Sequence, residues 1–251
     1  MIQSEKRAHF EGVHQPGNPL VLFNIWDAGS ARAVVKGGAI AVATGSASVA
    51  GALGCRDGEV LPLEWALANA RRIVAAVDVP VTLDFEGGYA AQPDGLSASA
   101  AQVVQTGVVG VNFEDQIIGG EGIYDTAQQM QRIAALAAGS AGALWINART
   151  DIFLKAKPQT HDLAMVDAAL KRAEAYAQAG GHSLFVPGLR DLALIRSICE
   201  RSPLPVNIMM YPQMTTRAEL ADCGVARISH GPFPWVEAMA GVTVAARAVM
   251  A

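Results

Sequence analysis

The chain has 251 residues, 51% hydrophobic and 17% charged, a balance that fits one large α/β domain and excludes a disordered chain. Its 19 basic and 23 acidic residues leave a net charge of −4 with no basic cluster, which argues against a nucleic-acid or anionic-membrane partner. Cys55, Cys199 and Cys223 lie far apart and in no metal-ligand spacing, so free thiols in a reducing, cytoplasmic setting are expected.

Met1 to Phe10 carries Glu5, Lys6, Arg7 and His9 and no apolar stretch, so no signal peptide is expected. No run of about eighteen apolar residues marks a membrane span. Residues 1–19 read as a polar leader with room for one short helix, closed by the breakers Pro16, Gly17 and Pro19. From there apolar runs alternate with helix-like stretches. Leu20–Asn24 is the first run, and a helical stretch follows Asp27-Ala28-Gly29-Ser30 as far as Lys36. Ala39–Thr44 is the second run, with a helix from Leu63 to Val77 started by Pro62. Val79–Asp84 precedes a helix near Leu96–Gln105, and Val108–Phe113 precedes one near Thr126–Ala138. Ala143–Ala148 is followed by a helix that Asp162 starts and Gly180-Gly181 ends. Ser183–Val186, Pro205–Met209 and Val225–Ser229 complete the set, with helices over 191–200, near Thr216–Asp222 and from Pro234 onward.

Eight such repeats with short links imply a parallel sheet buried on both faces and closed as a (β/α)₈ TIM barrel. The alternative is an open doubly wound sheet, but the first βα turn, Ile25–Ser30, lacks G-x-G-x-x-G. Residues 1–251 are read as one domain, with 1–19 as leader and 232–251 as a C-terminal helix.

Barrel enzymes build their sites at the carboxyl ends of the strands. The third run ends in Asp84, with Glu86 two residues on, so both carboxylates can face one space. The fourth ends in Glu114 and Asp115. Carboxylates a few Å apart repel by roughly 3–4 kcal/mol per pair at an effective dielectric near 20, and must share protons or hold a cation. Oxygen donors without clustered His or Cys favour Mg²⁺ or Mn²⁺. The alternative is that Asp84 and Glu86 cap or ion-pair at a loop start. Arg149, after the fifth run, suits a carboxylate or phosphate; its alternative is an ion pair to one of the acids. Thr44-Gly45-Ser46-Ala47 is a small-residue turn able to offer N–H groups to an anion, and Asp57 lies in a glycine-rich loop that also suits a surface turn. Asn207, on the seventh run, is counted with the substrate-binding residues. His230, at the end of the eighth, is expected to pack rather than to act as acid or base, and His182 to be structural. Gln116–Tyr124, with three glycines, is a candidate gating loop.

Together, Asn24–Arg32, Thr44–Ser48, Leu53–Asp57, Leu83–Tyr89, Gly110–Asp115 and Ile146–Asp151 resemble the isocitrate lyase and phosphoenolpyruvate mutase superfamily. The resemblance runs from about Phe23 to Gly231 and implies a barrel that binds 2-oxo acids or their enolates with Mg²⁺ (or Mn²⁺). It implies Asp84 as the direct metal ligand, with Glu86 and Glu114 acting through water. It also implies Gly45, Ser46 and Ala47 as the carboxylate-holding turn, Arg149 as the anion-binding arginine and Asp57 as the loop acid near the reacting centre. The catalytic set is thus Asp57, Arg149 and Glu114. Gln116–Tyr124 lacks the lyases' Lys-Lys/Arg-Cys-Gly-His motif and the mutases' Lys and Asn, and Glu86 stands where Asp is common. The expected function is a Mg²⁺-dependent lyase or decarboxylase acting on a small 2-oxo acid through a pyruvate-like enolate. The alternatives are P–C bond chemistry and a 2-oxo-acid-binding barrel with little catalysis. The resemblance further implies a homo-oligomer, dimer or tetramer.

Overall fold

The computed structural model describes residues 1–212 and 215–250. Its eight parallel strands are β1 (Leu20–Leu22), β2 (Val42–Ala43), β3 (Val81–Asp84), β4 (Gly110–Glu114), β5 (Trp145–Arg149), β6 (Ser183–Phe185), β7 (Val206–Met209) and β8 (Arg227–Ser229). They pair in the order β1-β8-β7-β6-β5-β4-β3-β2. The ring closes through one bridge just past β1, from Ile25 to Thr44, with the Ile25 N–H donating to the Ala43 carbonyl at 2.8 Å. This is a (β/α)₈ TIM barrel, and its paired strands are shorter than the apolar runs that contain them. Val79 and Ala39, for example, lead toward the sheet before any ladder bond forms.

The helices are α1 (Gln3–Gly12), α2 (Ala28–Lys36), α3 (Ser46–Ala52), α4 (Leu63–Ala76), α5 (Pro93–Val104), α6 (Thr126–Ser140), α7 (Leu163–Gln178), α8 (Leu192–Arg201), α9 (Arg217–Asp222) and α10 (Phe233–Met250). Acidic or hydroxyl N-caps start several of them, because the first-turn N–H groups have no partner within the helix. Asp27 accepts from Ser30, Asp125 from Gln128, Asp162 from Met165, and Asp191 from Ala193 and Leu194. Thr216 and Glu219 cap α9 reciprocally.

Two apolar layers hold the barrel. The larger lies between strands and helices, around Leu83, Val111, Phe113, Ile146, Leu184 and Ile208. The smaller fills the amino-terminal end of the barrel with Phe10, Leu20, Leu22, Ala41, Ala43, Val109 and Trp145. Here the reading of 1–19 as a mere leader is corrected. Although α1 is polar overall, its Phe10 is fully buried, and the helix plugs the end of the barrel away from the strand carboxyl termini. His14 donates from Nδ1 to the Phe10 carbonyl at 2.7 Å and stacks on Trp145 at 4.6 Å between ring centres. His182 accepts at Nδ1 from the Ile146 N–H at 3.1 Å and also lies on Trp145, so it is structural. At the other end of the chain, Trp235 of α10 rests on Gly51 of α3, where any Cβ would come within 2.8 Å of the indole. Beyond that anchor α10 leaves Val236, Met239, Val242, Val244, Val249 and Met250 exposed.

Candidate active site

The carboxyl ends of the strands enclose a cavity of about 220 Å³. One half is polar, with Asn24, Gly45, Ser46, Ala47, Asp57, Asp84, Asn112, Arg149 and Ser229; the other is Leu154, Phe185, Pro187, Met209 and Pro232. The expected Gly45–Ala47 turn is the start of a helix, α3, with Gly45 as its N-cap. Its first N–H, from Ser46, donates to Asp84 Oδ2 at 2.9 Å. The Asp84 N–H donates in turn to Thr44 Oγ1 at 2.8 Å, so Thr44 pins the Asp84 backbone while Ser46 holds its carboxylate. Asn112 Nδ2 approaches Asp84 Oδ1 at 3.5 Å, while its Oδ1 accepts from Asn147 Nδ2 at 2.8 Å and Arg227 Nη2 at 2.9 Å. Those two donors set which way the Asn112 amide faces.

Arg149 lines the cavity and is also an ion-pair partner, as the second of its two readings expects. Its Nη1 lies 2.7 Å from Glu114 Oε2, while Nε and Nη2 fork onto Asp151 at 2.6 and 2.9 Å. Three of a guanidinium's five N–H groups are thus engaged, and two remain for an anion. Burial pulls the Arg149 pKa down, but Glu114 and Asp151 outweigh it and raise it.

The cavity lining leaves out several of the residues singled out in the sequence. The Glu114 side chain points to Arg149 and does not line the cavity. Glu86 gives its Oε2 to the N–H groups of Gly58 and Glu59 and likewise stays off the cavity wall. Asn207 is fully buried one layer lower, exchanging hydrogen bonds with Ser229, and it is Ser229 that reaches the cavity. Met209, two residues further along β7, reaches the mouth instead. His230 packs on Phe23, its N–H donating to Asn24 Oδ1 at 2.8 Å and its ring Nδ1 lying 3.3 Å from the Leu22 carbonyl. Gln116–Tyr124 forms a small hairpin bridged from Gln116 to Ile123, and it leans toward Gly87 rather than over the cavity. Asp115, the second acid after β4, is structural: Arg172, Tyr176 and the Asp151 N–H satisfy it.

Sequence reasoning missed the apolar half of the cavity and the Asp151 fork. The two-residue strand period carries a signal for Phe185 and Met209, since each ends a strand on its inward face. Leu154, Pro187 and Pro232 come from loops, where no period exists.

Among the described residues no three or more of His, Cys, Asp and Glu converge as a ready-made metal cage. The donor set nevertheless fits Mg²⁺ held directly by Asp84 alone, because that ion keeps several of its waters. Burial first, then Asp84, pushes the Asp57 carboxyl above its ordinary range, and burial with Asp84 and Asp57 pushes Glu86 up to about 7. Burial also pushes Glu114 up to about 8 against the pull of Arg149, helped by Asp151, Asp84 and Glu86. A site whose acids raise one another in this way is short of positive charge, which a divalent cation supplies.

Eight parallel strands closed into a barrel, with polar side chains gathered around a cavity at their carboxyl ends, are the layout of TIM-barrel enzymes. The phosphoenolpyruvate phosphomutase family profile matches residues 10–250, and the chain belongs to that family. A structure from Burkholderia cenocepacia J2315, named provisionally as a phosphonomutase, is 46% identical, covers 98% of each chain and superposes with a TM-score of 0.94. An uncharacterised protein of Mycobacterium tuberculosis H37Rv is 32% identical over 96% of this chain and 88% of its own length. The oxaloacetate decarboxylase of Pseudomonas aeruginosa PAO1 is 26% identical over 90% of this chain and 79% of its own.

Proposed function

We propose that the protein is a Mg²⁺-dependent carbon–carbon lyase or decarboxylase acting on a small 2-oxo acid through a pyruvate-like enolate. The observation that carries this reading is the convergence of Asp84, held by the Ser46 N–H, with Asp57 and Arg149 on one small cavity. Bound at Asp84, Mg²⁺ supplies a Lewis acid for the 2-oxo carbonyl. Arg149, its fork set by Asp151, orients the substrate carboxylate. At the start of α3 the Gly45 and Ser46 N–H groups are held by the Ile25 carbonyl and Asp84, so it is the Ala47 N–H that is offered to the oxygen on which charge develops. Asp57, with its carboxyl raised, is the group placed to hold or return a proton. Leu154, Phe185, Pro187, Met209 and Pro232 in the lining favour a leaving group or substituent that is uncharged, such as CO₂ or a short alkyl chain. A cavity this small suits a substrate below drug size. The test is pyruvate release from a panel of oxaloacetate-like and 2-methylmalate-like acids, with and without chelator. Turnover that survives chelation sinks the mechanism.

A second reading, cleavage or transfer of a P–C bond, draws support from the 46% identical relative named provisionally as a phosphonomutase. Phosphate release from phosphonopyruvate would favour it. A third is suggested by the absence of Cys, Lys and His from Gln116–Tyr124, a barrel that binds oxo acids with little turnover. Thermal stabilisation by an oxo acid without turnover across the panel would favour that one.

The proposed assembly is a homo-oligomer. The apolar face of α10 is exposed, while a groove of about 790 Å³ along β1 and α2, lined by Val13, Pro19, Val21, Phe23, Val34 and Ile40, lies uncovered. Each is the kind of surface that a second copy would bury.

A further inference from the structure

The loops that follow β2 and β3 hold each other through an exchange of carboxylates. Glu86 Oε2 accepts the N–H groups of Gly58 and Glu59, each at 2.8 Å. In the other direction, Glu59 Oε1 accepts the Tyr89 N–H at 2.8 Å, and the Tyr89 hydroxyl reaches Glu86 Oε1 at 3.4 Å. The backbone is unusual at these same points. Glu59, Glu86 and Tyr89 have φ of 58°, 51° and 58°, in the left-handed region that non-glycine residues rarely adopt. Such conformations persist when surrounding contacts over-determine them, and the crossed carboxylates are those contacts. Behind the β3 loop, Arg132 donates to the carbonyls of Gly87, Ala90 and Ala91 at 2.7, 3.1 and 2.7 Å, and its guanidinium lies 4.2 Å from the Tyr124 ring centre.

We infer that Glu86 and Glu59 form a reciprocal latch, and that Glu86 acts through it as a positioning residue for Asp57. Asp57 immediately precedes the Gly58 N–H that Glu86 holds, and it lines the cavity with Asp84 and Arg149, while Glu86 shares a smaller void with Asp84. The residue type fits the task. A glutamate carries one methylene more than an aspartate, and here that length spans the gap between the two loops. The consequence for Asp57 rests on the active-site reading above; the latch itself does not.

Amide hydrogen exchange in the full chain tests the latch, because its conservative variants rank by side-chain length rather than by charge. Glu86→Gln keeps the length and an acceptor oxygen, whereas Glu86→Asp keeps the charge and withdraws the carboxylate. The latch predicts that Glu86→Asp speeds exchange of the Gly58 and Glu59 amides at least about tenfold while Glu86→Gln rescues protection to within about threefold. Glu59→Asp does the same to the Tyr89 amide. Unchanged protection in Glu86→Asp would overturn the inference. If wild-type protein binds no Mn²⁺, the active-site reading fails, and exchange alone still decides the latch. Should the variants not fold, the wild-type protein decides: amides of Gly58, Glu59 and Tyr89 that exchange as freely as unbonded loop amides would refute the latch.

Discussion

Arg149 is the residue on which the proposed chemistry turns, because it joins the cavity to two buried acids. Replacing it with Lys keeps the charge but loses the planar fork onto Asp151. Arg149→Lys is expected to lower kcat/KM about 100-fold or more, and Arg149→Met to cost about 3–5 kcal/mol of stability as well, by stranding Glu114 and Asp151. Urea denaturation beside the kinetics checks both; a stable, active Arg149→Met would contradict the assignment. His14 makes a prediction at the opposite end of the barrel. Its pKa is lowered to about 3, first by burial and then by Arg227, with the Phe10 carbonyl opposing. Nδ1 already donates to that carbonyl, so a second proton would go on Nε2, which is buried without a partner. The neutral ring therefore belongs to the folded state, while the unfolded chain takes up the proton near pH 6.5. Stability from this group is full above about pH 6.5 and is lost as pH falls toward 3, by at most roughly 1.4 kcal/mol per unit. Denaturation curves from pH 7 to 4 should show that loss and should flatten in His14→Gln. An equal slope in the variant would rule out His14 as its source.

At the scale of elements, α1 is a structural part of the barrel. Phe10→Ala removes a fully buried ring from the plug and should cost about 3–5 kcal/mol, read as a lower urea midpoint. A loss under about 1 kcal/mol would mean that the plug adds little. The elements themselves were largely legible in the sequence, because buried parallel strands read as apolar runs and Asp27, Asp162 and Thr216 announce helix starts. α1 was underread, since a single inward Phe on a polar helix leaves no periodic trace. α3 was read as a turn because Gly45-Ser46-Ala47-Ser48 has no apolar stripe; it is helical because it packs under Trp235 and hands its Ser46 N–H to Asp84. The site was legible as residue types at strand ends, and Asp84, Arg149, Asp57 and the 45–47 segment do meet in one cavity. Which way each acid turns was not legible. Glu86 and Glu114 are each claimed by neighbours, the Gly58 and Glu59 N–H groups and Arg149, whose contacts form only once the barrel closes.

At the scale of the whole molecule, the exposed apolar face of α10 and the uncovered groove along β1 and α2 predict self-association. Truncation after Trp235 should shift the protein to a smaller hydrodynamic size in light scattering, and an unchanged mass would show that α10 does not hold the assembly. Among the described residues no helix is long and apolar enough to cross a membrane, so that surface asks for another explanation. The central proposal is that, at the carboxyl end of the barrel, Asp84 holds a divalent ion that acts with Arg149 and the start of α3 on a small 2-oxo acid. The most direct test is pyruvate release from oxaloacetate and alkyl-malate substrates by metal-stripped protein as Mg²⁺ is added back, with Asp84→Asn run alongside. The account predicts activity that is absent without metal, returns with Mg²⁺ in the wild-type protein and does not return in the variant. Turnover by stripped protein, or full recovery in Asp84→Asn, would contradict it.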